Sequence, residues 1–322
     1  MNYKQLTSGE RYQIKAYLKI GLTLKAIAAH LGRNASTISR EIKRNTGLKG
    51  YRPKQANQRA LSRRHNALKA IKLTPSIRAK IEQLIRQDLS PEQVCHYLKK
   101  QGFIKLHHET IYRMVLADKK QKGSLYQHLR HLHKTHRKRY GSYDRRGRIR
   151  NATSIEERPK VVDDKARVGD WEGDTIIGKD RKSAIYTLVE RKTLYTIIVK
   201  LTGKNAKDLA DKAIKVLKPL ARQIHTITYD NGLEFAEHER MAQALDAQIY
   251  FAHPYSSWER GINENTNGLI RQYFPKGTDF NAVTQEQIDF VMNRLNTRPR
   301  KTRGGAQPVE LFLGKAVDLL AA

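Results

Sequence analysis

Apolar residues recur at helical spacing through about the first 117 residues and give way to strand-like runs after about residue 168. The first segment predicts three short helices. Thr7-Ser8-Gly9-Glu10 matches a capping box, and Ile14, Tyr17 and Leu18 make one face of the helix it opens. Leu24, Ile27, Ala28 and Leu31 mark a second helix over about Thr23–Leu31, which Gly32 can end in the left-handed conformation. A third, Ser36–Asn45, turns Ile38 and Ile42 inward and leaves Ser36, Thr37, Ser39, Arg40, Lys43 and Arg44 on its outer side. Two helices, a glycine-bearing turn and a further helix with a polar, basic face fit a helix-turn-helix. A less distinct set follows: Thr74-Pro75 opens a helix with Ile77, Ile81, Leu84 and Ile85 on one side, Ser90-Pro91-Glu92-Gln93 is a second capping box, and a third helix runs through His108–Arg113.

Three β-rich runs then come in succession, at Asp170–Gly178, Ser183–Glu190 and Leu194–Leu201. An amphipathic helix over Asn205–Leu220, a buried-type strand at Ile224–Tyr229, a helix to about Ala244, a short strand at Gln248–Phe251 and helices from Ser256 and Thr284 complete the pattern. Three strands suited to a meander followed by alternating helix and strand predict an α/β domain with a mixed five-stranded sheet and helices on its faces. The expected organisation is a helix-turn-helix domain at 1–50, a basic linker at 51–72, a second helical domain at 73–117, a second basic linker at 118–160 and the α/β domain with its C-terminal helices at 161–322.

Charge changes this picture from architecture to partner. The chain carries a net +31, with 36 lysines and arginines against 8 acids in residues 1–150 and 26 against 23 in residues 151–322. So lopsided a distribution predicts that the first half grips a polyanion, and no segment pairs a basic face with a bulky aromatic one as a membrane-surface helix would. No apolar run reaches membrane-spanning length, and residues 1–21 lack the apolar block of a signal peptide. One cysteine, Cys95, rules out an intramolecular disulfide framework and a cysteine-rich zinc module. His128, His131, His133 and His136 lie among basic residues with no carboxylate or thiol partner and read as solvated charge. The expectation is an intracellular protein of the cytoplasm, associated with the nucleoid, whose partner is double-stranded DNA.

Three acids in the near-neutral half are out of place. Asp174 interrupts an apolar strand, Asp230 follows the fourth strand in Tyr229-Asp230-Asn231-Gly232, and Glu264 shares a helix face with Arg260, Asn267, Gly268 and Arg271. Two of them have a plainer explanation: Asp230-Asn231-Gly232 also suits a tight turn, and a lone helical glutamate is usually solvated. Ser256-Ser257-Trp258-Glu259 reads as a capping box, with Trp258, Ile262, Leu269 and Tyr273 as the apolar stripe of its helix. Together, three carboxylates need a cation between them. Magnesium, or manganese in its place, takes such oxygen ligands, and two ions would activate the attacking oxygen and stabilise the leaving one in an in-line phosphoryl transfer.

At these residues the sequence resembles the DDE transposases of the insertion-sequence-thirty family. The likeness rests on Gly169–Gly178, on Asp230-Asn231-Gly232-Leu233-Glu234-Phe235, on His253–Gly268, and on the 33 residues that separate Asp230 from Glu264. It implies an integrase-like core of the RNase H-like fold, with Asp174, Asp230 and Glu264 as the catalytic, metal-binding triad and Asp170, Glu172, Glu234 and Glu259 as supporting acids. It implies that the Thr23–Asn45 helices bind the terminal inverted repeats of the element, and that the protein cuts and joins DNA as a homo-oligomer, at least a dimer on DNA. Ser36, Thr37, Ser39, Arg40, Lys43, Arg44, Arg260 and Arg271 are the candidate DNA contacts. The segment Arg300–Pro308 keeps basic and proline signals of the family but not the residues between them. The alternative from another class is a DNA-binding regulator whose RNase H-like half serves only to dimerise.

Overall fold

The computed structural model describes residues 5–67, 73–130, 149–203, 205–254 and 256–321, so His131, His133 and His136 lie outside the described residues. The chain forms two compact units, Met1–Ile71 and Lys72–Ala322.

In the first unit, α1 (Ser8–Lys19), α2 (Leu24–His30), α3 (Ala35–Asn45) and α4 (Pro53–Asn66) surround Ile14, Ile27, Ala28, Ile38, Tyr51 and Ala56. The Thr7–Glu10 capping box is present, and Gly32 ends α2 at φ +58°, a conformation that glycine adopts without steric cost. At the centre Arg11 donates to Glu41 at 2.8 Å and to the Leu6 carbonyl at 2.7 Å, while the Tyr51 hydroxyl donates to the same carboxylate at 3.2 Å. Helix α4 falls where the charge density predicts a linker. Its arginines explain the difference: Arg59 donates to the Asn45 and Thr46 carbonyls at 3.3 Å, and Arg63 to Asn45 Oδ1 at 2.6 Å. The helix is therefore anchored by capping the carbonyl end of α3, with Ala56 as its one buried side chain.

The second unit begins with α5 (Pro75–Arg86), α6 (Pro91–Lys100) and α7 (His108–Lys120), whose inward faces carry Ile81, Leu84, Ile85, Val94, Leu98, Ile111 and Val115. The second expected linker also contributes to packing. Leu125 is buried in this helical core and Thr153 accepts from the Phe251 N–H at 2.9 Å, while just past the linker Val162 of α8 (Lys160–Asp163) is buried. These isolated anchors are hidden in the sequence by the lysines and arginines around them.

The sheet comprises β1 (Asp170–Ile177), β2 (Ala184–Glu190), β3 (Thr196–Leu201), β4 (Thr226–Tyr229) and β5 (Gln248–Phe251) in the order β3-β2-β1-β4-β5. The first three strands are antiparallel, and β4 and β5 run parallel to β1. One face packs on α9 (Ala206–Leu217) and α10 (His238–Leu245) through Trp171, Tyr186, Ile227 and Tyr229. The other packs on α11 (Gly261–Ile270) and α12 (Gln285–Thr297) through Ile176, Ile185, Ile198 and Ile270. Asn296 of α12 accepts from the Thr196 N–H and donates to its carbonyl, both at 2.8 Å, which satisfies backbone groups on edge strand β3. The chain continues into α13 (Pro308–Leu313), where Phe312 stacks on Tyr195. No described helix is long and apolar enough to cross a membrane.

Candidate active site

Strand alternation sorts the acids. Trp171, Gly173 and Thr175 share one face of β1, and Asp170, Glu172, Asp174 and Ile176 share the other, beneath α11. Gly173 is required by the first face: a Cβ there would lie 2.2 Å from the Tyr229 ring, which in turn makes a 2.5 Å hydroxyl–hydroxyl bond with Tyr186. In the parallel pair, Asp170 stands opposite Thr226 and Glu172 opposite Thr228. Two residues further along this register, Asp230 comes level with Asp174 on the same face.

The two carboxylates meet around a guanidinium. Arg260 is 9% exposed; its Nη1 lies 3.6 Å from Asp174 Oδ2 and its Nη2 3.3 Å from Asp230 Oδ2, and it donates to the Gly173 carbonyl at 3.1 Å. A positive charge between like charges offsets their repulsion. Backbone donors hold the carboxylates in place, Thr175 N–H to Asp174 Oδ1 at 2.8 Å and Gly232 N–H to Asp230 Oδ1 at 3.0 Å. Burial pushes the Asp174 carboxyl up to about 6 against the pull of Arg260, and the charges of Asp230 and Glu234 add to the rise. Asp230-Asn231-Gly232 is not a hairpin turn, because Gly232 has φ −71° and Asn231 donates instead to the Ala252 carbonyl at 2.6 Å.

Helix α11 carries Glu264 and is positioned by an acid below it. Glu172 Oε2 accepts the Asn263 N–H at 2.9 Å, one of the orphan donors of the first turn, while Asn263 Nδ2 donates to the Glu172 carbonyl at 3.0 Å. Arg191 holds the other Glu172 oxygen at 2.5 Å, and this pair is buried. Burial pushes the Glu172 carboxyl up, and the arginine and the helix N–H pull it back. One turn beyond Glu264, Asn267 Nδ2 donates to Asp174 Oδ2 at 2.9 Å. Glu264 is thus bracketed by Arg260 and Asn267, at helical spacings of four and three, and both reach Asp174. Its own side chain is exposed. Among the described residues, no three histidine, cysteine, aspartate or glutamate side chains stand close enough to hold a metal ion: Asp174 and Asp230 come together, and Glu264 does not join them.

The remaining acids are occupied. Asp170 accepts two bonds from Arg167 at 3.1 Å and one from Thr226 at 2.9 Å, and Glu234 accepts from the Thr175 hydroxyl at 2.8 Å. Glu259 departs from its expected capping role. It accepts from the His253 N–H at 2.8 Å and faces the His253 ring at 2.8 Å, while Ser256 makes no side-chain cap and α11 starts at Gly261. Trp258 is correspondingly 74% exposed and leaves the apolar stripe. Arg260 and Arg271, both expected on DNA, also make bonds within the protein. Arg271 donates to the Ile177 carbonyl at 2.9 Å and the Pro275 carbonyl at 3.1 Å, tying the far end of α11 to β1.

In the first unit, Ser36, Ser39, Arg40, Lys43 and Arg44 are exposed along α3 and Thr37 is half-buried, while Ile38, Glu41 and Asn45 face inward. A cleft of about 410 Å³ between α3 and α4 is lined by Arg11, Thr37, Arg40, Arg44, Arg63 and Arg64. Sequence reasoning missed the α4 arginines as part of this surface, although their spacing on a proline-initiated helix was a usable signal. It also missed the capping action of Glu172, for which no local signal exists.

Comparison with known proteins agrees with both regions. A helix-turn-helix domain model matches residues 2–45, a homeodomain-like model residues 37–115 and an integrase core model residues 165–257. The chain is 45% identical to the transposase for insertion sequence element IS4351 of Bacteroides fragilis, covering 96% of this chain and 95% of that protein. It is 38% identical to transposase InsI for insertion sequence element IS30A of Escherichia coli K12, covering 95% and 83%, and 35% identical to the transposase for insertion sequence element IS1086 of Cupriavidus metallidurans, covering 96% and 94%. A mixed five-stranded sheet that brings two aspartates to one face, and identity extending over nearly the whole length of these relatives, mean that the chain belongs to the IS30 family of insertion-sequence transposases.

Proposed function

We propose that this chain binds the terminal inverted repeats of its insertion sequence and catalyses cleavage and strand transfer of double-stranded DNA at Asp174, Asp230 and Glu264, with a divalent metal, magnesium or manganese, as cofactor. The observation that carries this reading is the shared cation: two carboxylates from adjacent strands are already gathered around one positive charge. Their hard oxygen donors suit such an ion, and Glu264, exposed and one helical turn from both Arg260 and Asn267, is the third ligand in this reading. Two ions bound with DNA would polarise the scissile phosphate and activate the attacking oxygen. The protein contributes orientation. The Thr175 and Gly232 N–H groups fix one oxygen of each aspartate, Asn267 fixes the second oxygen of Asp174, and Glu172 with Asn263 sets the height of α11 over β1. The same arrangement serves cleavage, which frees a 3′-hydroxyl, and joining, in which that hydroxyl attacks another phosphodiester. The acting form is a homo-oligomer, at least a dimer on DNA, working at the nucleoid in the cytoplasm.

Repeat recognition falls to α3, whose exposed hydroxyl and guanidinium groups have the chemistry for base edges and phosphates. Arg40→Ala and Arg44→Ala should each weaken binding of a repeat-ended duplex about tenfold, the loss of one good base or phosphate contact, with an unchanged circular dichroism spectrum. A footprint identical to that of the parent in both variants would exclude α3 as the reading helix. The whole proposal is tested by nicking and joining of a repeat-ended duplex with and without magnesium. Cleavage that survives chelation would overturn the divalent-metal reading, and no cleavage beside tight repeat binding would support the regulator reading instead.

A further inference from the structure

Beside α11, on the flank that carries Asn265 and Leu269, lies a cleft of about 220 Å³ whose walls come from α6, from Arg130 and from the segment Pro299–Thr302. Its cations outnumber the acids that could neutralise them. Arg130 lies against the backbone of α11, its Nη2 just 2.9 Å from where a Cβ on Gly268 would stand. Arg300 is 9% exposed and donates to the Leu295 carbonyl at 2.8 Å, and Arg298 behind it is 3% exposed and donates to Gln272 Oε1 and the Tyr273 hydroxyl. The acids nearby are already engaged, Glu92 with Lys301 at 3.1 Å, and Asp88 with His128 at 2.9 Å and the Tyr273 hydroxyl at 3.0 Å. The Nε atoms of Arg298 and Arg300 are buried and have no hydrogen-bond partner among the described residues.

A buried guanidinium that meets only neutral oxygens and other guanidiniums is costly to keep. Burial, with Arg298 and Arg130 beside it, pulls Arg300 down to about 10 against a weaker opposing pull from Tyr273. An arrangement of this kind stores affinity for an external anion, and the planar donors of arginine match phosphate oxygens. The position identifies the anion. Gly268, against which Arg130 rests, is one turn of α11 beyond Glu264 on the same face.

We infer that this cleft binds a backbone phosphate of the DNA strand that enters the site of Asp174, Asp230 and Glu264, with Arg130 and Arg300 as its donors. The inference rests on the reading of those three acids as the cutting site. It gives the segment after α12 a function besides packing, and it makes α6 a wall of the DNA channel.

The test is fluorescence anisotropy of the full chain with a labelled random-sequence duplex over a salt series, without added metal. Arg130 is exposed, so Arg130→Gln removes the charge without opening the core. Its log-affinity against log-salt slope should be shallower than the parent's by about 0.9, with Kd about fivefold weaker at physiological salt, as one lost phosphate contact requires. Lys215→Gln, an exposed charge on α9 across the sheet, should leave both unchanged. An unaltered slope in Arg130→Gln, or an equal change in Lys215→Gln, would overturn the inference. The cutting-site reading fails separately: Asp174→Asn that still cleaves would refute that reading whatever the slope of Arg130→Gln, and an unchanged slope would refute the cleft while Asp174→Asn is inactive.

Discussion

Asp230→Asn should bind a repeat-ended duplex as tightly as the parent and neither nick nor join it, a loss of at least about a thousandfold in rate. The substitution keeps an oxygen for the Gly232 N–H and keeps the shape of the side chain, so the local backbone has no reason to move. What it removes is half of the negative charge around Arg260, which retains Asp174 at 3.6 Å and the Gly173 carbonyl at 3.1 Å. The fold should therefore survive while affinity for a divalent ion falls. Asp174→Asn and Glu264→Gln should behave alike, and the set is informative because Glu264 is exposed and holds no hydrogen bond or ion pair among the described residues. Gel assays of nicking and of strand joining in magnesium, beside a binding titration of each variant, separate the two functions. Full joining by any one of the three would remove that residue from the site.

Glu172→Ala should cost the second unit about 3–5 kcal/mol, the usual penalty for leaving one member of a buried ion pair behind. Arg191 would keep the Val162 carbonyl at 3.1 Å and a distant Asp163 at 3.8 Å, neither of which replaces a contact at 2.5 Å. The Asn263 N–H would lose its acceptor at the same moment, and the first turn of α11 with it. The consequence reaches beyond stability, since Glu264 is the next residue on that turn. Thermal unfolding read by circular dichroism should show a markedly lower midpoint, and the folded fraction should join DNA poorly. A melting curve that overlays the parent's would show that Glu172 is not the support described.

The legible part of the structure is the part that local spacing controls. Period-two alternation in β1 and the strand end at Tyr229 sufficed to bring Asp174 and Asp230 to one face, and helical spacing sufficed to separate Ile38 and Ile42 from Arg40 and Arg44. The illegible part depends on partners far away in the chain. Arg260 has the composition of a DNA contact, and only the sheet beneath it turns it into a bridge between two acids. Glu172 looks like one more acid in a motif until Asn263 arrives from 91 residues away. Helix α4 was hidden for the same reason, because its stabilising acceptors are the last carbonyls of α3 rather than a hydrophobic stripe of its own. Ser256–Glu259 failed in the opposite direction: the local pattern was correct for a cap, and His253 offered Glu259 a better partner.

The core of α5–α7 closes on a residue made very late. Leu319 is buried among Leu84, Ile85 and Tyr97, its N–H bonded to the Tyr97 hydroxyl at 2.8 Å and its carbonyl to Gln87 at 2.6 Å, and Asp318 holds the same hydroxyl at 2.6 Å. During synthesis, more than 200 residues leave the ribosome between Tyr97 and the leucine that seals it. A nascent chain, or one stopped early by a frameshift or nonsense codon, has its helices without their plug. Sealing of this bundle therefore waits on residue 319, and a chain stopped short of it would expose an apolar core that proteases can find.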